Sequence, residues 1–324
     1  MLGIFFPSIS VKGGDFVDLS TIFNFQQLVN GLQLGAIYAL IALGYTMVYG
    51  IIRLINFAHG DFYMIGAYSI YFFGVYFLAG HTGIHPIFVF IMAVIISMAA
   101  GALIAVLANQ IAYKPLRYRP RLSALITAVG VSMFLEYLFS SLPFIGPSYL
   151  AFPNDAVIPR TEYLLGGVHL NNYQIIDLGV AILLMAFLTW FVRGTMTGKA
   201  MRAVSLDKDA SKLMGIDIEK IITITFLIGG AFAGVAGLLA GITYPRINPY
   251  MGILPGLKAF VAAVLGGIGI IPGAMLGAFL LGIAEVFATS FNSLLGEGIA
   301  FAILILVLIF RPQGLLGEKT AEKV

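Results

Sequence analysis

The chain contains no cysteine, a single tryptophan (Trp190) and few charges. Without cysteine there is no disulfide frame, no thiolate nucleophile and no cysteine-based metal site. The four histidines, His59, His81, His85 and His169, lie in separate places with no ligand spacing, which argues against a metal centre. With one tryptophan, tyrosine must supply most of any aromatic belt. Charged residues make up 10% of the 324 residues and hydrophobic ones 60%. A soluble domain carries about a quarter charged residues, so the composition excludes a soluble fold and fits one polytopic membrane domain. The net charge of +3 is modest, and no nucleic-acid partner is expected.

What is present is a series of long apolar runs. About 20 apolar residues, at about 1.5 Å per residue, cross a hydrocarbon core of roughly 30 Å. Phe25 to Ile52 carries no charge and is long enough to span with tilt. Phe62–Gly80, Pro86–Ala112, Leu122–Leu142, Gln174–Val192 and Ile221–Tyr244 follow. Leu254–Phe291 is apolar but interrupted by "GGIGIIPG" (266–273), and Ile299–Phe310 is short unless its flanks join it. The expected fold is an all-α polytopic membrane protein of about eight transmembrane elements. The opening "MLGIFFPSIS" has no basic residues ahead of a short apolar run, so it reads as a segment along the membrane surface and not as a cleaved signal.

Lys and Arg in short loops set orientation. The loop 113–122 holds four basic residues, the loop 193–220 six, and the tail Arg311, Lys319 and Lys323. These are expected on the cytoplasmic side. The loop 143–173, with Arg160 as its only basic residue, is expected outside. The side of the N-terminus stays open, because a re-entrant element near residue 60 would overturn simple alternation.

Glycines at 31/35, 230/234/237/241 and 273/277 fall on single helix faces and suit close packing of transmembrane backbones. A second pattern is an internal echo. "INFAHG" (55–60) follows Tyr49 and Arg53, and "INPYMG" (247–252) follows Tyr244 and Arg246. The two sit at corresponding places in repeat-like halves, 25–142 and 221–311. Transporters use such repeats with broken, glycine-interrupted segments where the halves meet, and exposed backbone is tolerated at membrane depth only inside protein or beside water. Asn56, His59, Asp61, Asn248, Gly252, Gly266 and Gly267 are therefore candidates for a translocation path. The competing reading puts the charges around residue 60 at a membrane interface, where they cost little. Glu136, Lys258 and Glu285 also lie within apolar segments. No Asp/Glu/His chain runs along a helix, so structural pairing or closeness to a helix end is expected for each.

The loop "GKAMRAVSLDKDASKLMGID" (198–217) is too polar to span and too organised for a linker. Its apolar residues Met201, Val204, Leu213 and Met214 alternate with charges, and Gly215 ends a helix. A pair of short helices presenting a docking surface is expected. Asp209-Ala210-Ser211-x-x-x-Gly215 resembles the EAA-x-x-x-G loop through which ABC-importer permeases meet their ATPase, with Asp for Glu and Ser for the second Ala. From residue 25 onward, "GLQLGAIYALIALGYTMVYGIIRLINFAHGDFYMIGAY" (31–68), "INPYMG", "GLKAFVAAVLGGIGIIPGAMLGA" (256–278) and "RPQGLLG" (311–317) resemble the LivH-type permeases of high-affinity branched-chain amino-acid ABC importers.

The resemblance implies a permease of the prokaryotic inner membrane, bathed by lipid, that carries leucine, isoleucine and valine. Its implied partners are a LivM-type permease, two cytoplasmic ABC ATPases and an extracytoplasmic solute-binding protein. It also implies an ATPase-coupling role for Arg202, Asp209, Ala210, Ser211 and Gly215. Urea or another short amide is an alternative substrate, and an energy-independent channel or secondary transporter an alternative class. No ATP site is legible here: "GTMTGKA" (194–200) and "GLLGEKT" (314–320) both depart from the P-loop pattern. No cofactor is expected in this chain, with ATP-Mg held by the partner ATPases. No catalytic constellation appears either, so an enzyme is not expected.

Overall fold

The computed structural model describes residues 9–10, 16–17, 25–53, 55–78, 83–117, 119–165 and 168–317. The expected surface segment "MLGIFFPSIS" (1–10) lies outside these, apart from β1 (Ile9–Ser10), which pairs with β2 (Phe16–Val17). So do Lys319 and Lys323 of the basic tail.

Helix α1 (Phe25–Ile52) has the bounds expected from its charge-free run. A turn then leads to the short helix α2 (His59–Phe72), which continues as one π-helical turn to Phe77. Helix α3 (Pro86–Ala108) starts on Pro86 with His85 as its cap, and runs on through a π-helical turn to Tyr113. Helix α4 (Arg121–Ser141) follows. An irregular segment holds β3 (Leu150–Ala151), the single turn α5 (Asn154–Val157) and the hairpin of β4 (Glu162–Leu165) with β5 (Val168–Asn171). Asn171 and Gln174 form a reciprocal capping box that starts α6 (Asn172–Gly194). Thr195 and Asp207 cap α7 (Met196–Leu206) and α8 (Lys208–Leu213), and Asp217 caps α9 (Ile218–Thr243). β6 (Arg246–Ile247) pairs with β3. The apolar region expected over 254–291 divides at Gly267 into a short α10 (Ile253–Gly266) and α11 (Ile271–Phe291). Helix α12 (Ser293–Phe310) begins six residues earlier than its apolar run, capped by Asn292, and so reaches spanning length. Seven helices are long and apolar enough to cross a membrane among the described residues, with α10 a shorter apolar one.

The bundle has two faces. One carries α7 and α8, and Glu219 at the start of α9 is paired there with Arg117 and Lys114. This is called the basic face. The other carries the β4–β5 hairpin, where Gln26 at the start of α1 donates to the His169 carbonyl at 3.0 Å. Helix α1 therefore runs from the hairpin face to the basic face, and α9 runs back. Gln33 near the start of α1 meets Thr243 at the end of α9 at 3.1 Å.

The helices fall into two sets with the same order, α1–α4 and α9–α12: a long buried helix, a short one, then two spans. The sets interlock. Gly31 and Gly35 of α1 lie against the backbone of α11 around Gly282, and Gly230 and Gly234 of α9 lie against α3 at Gly101 and Ser97. Such contacts let main chains meet where there is no hydrophobic force between helices. As a result 83% of the apolar stretch of α1 and 78% of that of α9 are buried, against 17% for α4 and 11% for α12. The first pair forms the core, and the second faces outward.

Candidate functional site

The short helices α2 and α10 are the counterparts that the internal echo marks, and they touch. A side chain on Gly60 would meet the carbonyl of Gly252, and one on Gly252 would meet the carbonyl of Gly60. The glycines of the two echo motifs are thus in backbone contact at the centre of the bundle. Around them the predicted path residues are packed. Asn56 is buried and its Oδ1 accepts from Tyr113 Oη at 2.6 Å. His59 is buried between Tyr45 and Phe62, with ring centroids 4.7 and 5.7 Å away. Asp61 is buried and faces Ser132 and Glu136 of α4. Arg53 alone of this group is exposed, in a left-handed conformation at φ 58° just past the end of α1. Burial of His59 and Asp61 removes the cheap-interface reading for those two. Asn248 closes the turn before α10 by accepting from Tyr250 N at 2.9 Å. Gly266 lies against Gly273, and Gly267, at φ 107°, against the Gln313–Gly317 segment.

Above this contact, toward the hairpin face, lies a cavity of about 760 Å³. None of the predicted path residues lines it. Its wall comes from α1 (Gln27, Asn30, Gln33, Tyr38), α9 (Thr243, with Tyr244 just beyond), α11 (Glu285, Thr289, Ser290) and the hairpin region (Arg160, Asn171). The short helices contribute Tyr63 and Pro255, each three residues past a touching glycine, about 4.5 Å along a helix. The cavity therefore ends where the two halves close. From Gln27 to Tyr38 it follows α1 for roughly 16 Å.

Two buried polar networks border it. In one, Lys258 Nζ of α10 lies 2.6 Å from Glu285 Oε1 of α11, and Tyr38 Oη donates to Glu285 Oε2 at 3.0 Å. The pairing expected for Lys258 and Glu285 is thus with each other. In the second, Asp177 Oδ2 of α6 accepts from Gln33 Nε2 at 2.7 Å and from Thr243 Oγ1 at 2.9 Å. Sequence reasoning passes over Gln33, Tyr38, Tyr63, Asp177 and Thr243, and names Tyr244 only as part of the echo. The rule that singles out Glu136 applies equally to Asp177, an acid within an apolar run. The tyrosines give no such signal.

The loop after α6 has the expected two helices. Met201 and Val204 turn inward, whereas Leu206, Leu213 and Met214 are 84%, 89% and 82% exposed, so the apolar residues form two opposed sets. Asp207 Oδ1 accepts from the amides of Asp209 and Ala210 at 2.9 and 3.0 Å, and Ser211 donates to the Asp207 carbonyl at 2.6 Å. Gly215 holds φ 81° and ends α8, as a helix-stopping glycine should. Arg202 donates to the Val192 carbonyl at 2.7 Å, which ties α7 back onto α6. Asp209, Ala210 and Gly215 are exposed, and Ser211 is buried.

Two interlocked helix sets closed over a polar cavity, with a short-helix loop on the opposite face, define a multi-pass membrane permease. The chain belongs to the family described as "Branched-chain amino acid transport system / permease component", whose pattern matches residues 27–308. It is 44% identical over 312 residues to the high-affinity branched-chain amino acid transport system permease protein BraD of Pseudomonas aeruginosa, covering 92% of this chain and 97% of that one. It is 43% identical over 307 residues to permease protein LivH of the same kind of system in Escherichia coli K12, with the same coverage. It is also 29% identical over 304 residues to the permease protein LivM of that organism, covering 86% of this chain and 68% of LivM. No solved structure matches the chain.

Proposed function

We infer that this chain is one of two permeases in an ATP-driven importer of leucine, isoleucine and valine, and that the cavity on its hairpin face is the entry chamber. The observation that carries this reading is the division of the molecule between two faces. A polar cavity opens on one, and exposed apolar side chains sit on a capped helix pair at the other. The basic face, with Lys114, Arg117 and the α7–α8 pair, is the cytoplasmic one, by the excess of Lys and Arg in its loops. The hairpin face and the start of α1 are then extracytoplasmic, where a solute-binding protein delivers substrate. Leu206, Leu213 and Met214, with Asp209 and Ala210 beside them, receive a cytoplasmic ATPase that holds the ATP-Mg. The relationship to a LivM permease supports a second permease of similar fold as partner.

Helix α6 supplies the link between the faces. It runs from Asp177, bonded to Gln33 and Thr243 in the chamber wall, to Arg193, one residue before the turn into α7. A shift of the ATPase is passed by α6 to α1 and α9, and the Gly60–Gly252 contact is the closed constriction that opens. Nucleotide drives this only by favouring one arrangement over the other. The test is uptake of labelled leucine in cells with and without this chain, with isoleucine, valine, alanine and urea as competitors. Loss of a flux that isoleucine and valine compete for is expected. Unchanged leucine uptake with lost urea uptake would move the protein to the short-amide branch.

A further inference from the structure

The pair Lys258–Glu285 is an expensive way to join α10 to α11. Elsewhere that interface is made by small residues in direct contact, Gly273 with Gly266 and Gly277 with Ala262. Two charges at membrane depth carry a desolvation cost that apolar packing avoids, and replacing such a pair by apolar residues is often neutral or stabilising. Glu285 stands at the cavity, with its partner Lys258 buried behind it. Glu285 lines it together with Val286, Thr289 and Ser290 on one face of α11, and Lys258 lies about one turn along α10 from the lining residue Pro255. Lys258 has no other hydrogen-bond partner among the described residues, so two of its three donors are unused. Tyr38 holds the second carboxylate oxygen of Glu285 and fixes its orientation.

An amino acid carries one ammonium and one carboxylate on the same carbon. Each is the complement of one member of this pair. We propose that the Lys258–Glu285 pair is the docking point for the substrate's zwitterionic head, an assignment that rests on the cavity being the entry chamber. The substrate ammonium takes Glu285 and the substrate carboxylate takes Lys258. The pair opens into a four-centre cluster whose net charge is unchanged, so no uncompensated charge is buried. The aliphatic side chain then lies against Leu34, Ile37, Ala240 and Val286, which line the same cavity. Urea has neither charge and gains nothing from this site. The ion pair is thus a specificity determinant for α-amino acids over neutral amides.

The experiment uses the assembled permease–ATPase complex and measures competition for bound labelled leucine. Two probes each lack one charge: 4-methyl-2-oxopentanoate, without the ammonium, and 3-methylbutylamine, without the carboxylate. Glu285→Gln should weaken leucine by about 100-fold, the loss of one buried charge-assisted contact, while shifting the keto acid by less than about threefold. Lys258→Met should weaken leucine similarly and leave the amine nearly unchanged. Because either single change strands a buried charge, the deciding variant is Lys258→Met with Glu285→Leu, which removes both. It should melt near the wild-type temperature and bind no leucine. Leucine binding at wild-type strength in that double variant would overturn the assignment and leave the permease reading intact. Equal weakening of leucine, keto acid and amine in the single variants would make the pair structural and overturn it too. If the wild-type chain supports no leucine uptake in cells, the functional reading itself fails, and this assignment with it.

Discussion

The Gly60–Gly252 contact and the cavity above it are adjacent, yet they are built on opposite principles. The contact has no room for a side chain, because each glycine lies against the other's carbonyl. The cavity is bordered by two hydrogen-bonded networks, each joining three helices. The glycine joint brings the two helix sets into direct backbone contact. About one helical turn separates the two, since Tyr63 and Pro255 of the cavity wall lie three residues past the touching glycines. The joint should therefore tolerate almost no substitution, while the chamber should respond to chemistry more than to size.

The largest effect is expected from Gly252→Val. Its branched side chain would occupy the space of the Gly60 carbonyl, and overpacking of this kind costs about 1–3 kcal/mol. Thermal melting of the detergent-purified protein should show a marked loss, with little folded material recovered. Next comes the exposed end of α8. Met214→Asp places a charge on an exposed apolar surface, so the melting temperature should hold while ATP-driven uptake falls at least about tenfold, the effect of losing roughly 1.4 kcal/mol of docking. Uptake at the wild-type rate would remove that surface from the coupling path. Asp177→Ala strands Gln33 and Thr243 in the chamber wall and should cost about 1–3 kcal/mol, most of it recovered in Asp177→Asn, which keeps acceptor capacity. Equal melting curves for the two variants would show that the hydrogen bonds contribute nothing. The smallest effect is at Tyr68, whose buried hydroxyl has no hydrogen-bond partner. Tyr68→Phe should stay within about 0.5 kcal/mol of wild type or be slightly more stable.

Much of this architecture was legible in the sequence. Apolar runs give most of the spans, since a spanning helix satisfies its own backbone in the bilayer, whereas the run expected over Phe62–Gly80 is instead the short α2 with its π-helical turn to Phe77. The "INFAHG" and "INPYMG" echo marks the two short helices whose glycines meet. The loop 198–217 forms its helix pair with the expected glycine stop. The chamber was not legible. Its residues are spread over α1, α2, α6, α9, α10, α11 and the hairpin region, and each is unremarkable in its own stretch of sequence; only the interlocking of the two helix sets gathers them. The dense polar cluster at 53–61 drew attention instead, and its side chains are mostly packed at the joint. The burial of α1 and α9 was equally hidden, because lipid-facing and protein-facing helices have similar apolar compositions.

The central claim is that the cavity is the route by which substrate enters, and the absence of cysteine allows a direct test. Ser290→Cys places the only thiol of the chain in the cavity wall. A membrane-impermeant charged thiol reagent is then added from outside to cells importing labelled leucine. The account predicts that the reagent modifies this thiol and blocks uptake, and that leucine delivered during turnover protects against it. A thiol that is modified from outside while uptake continues unchanged, or one that is never reached from that side, would contradict it.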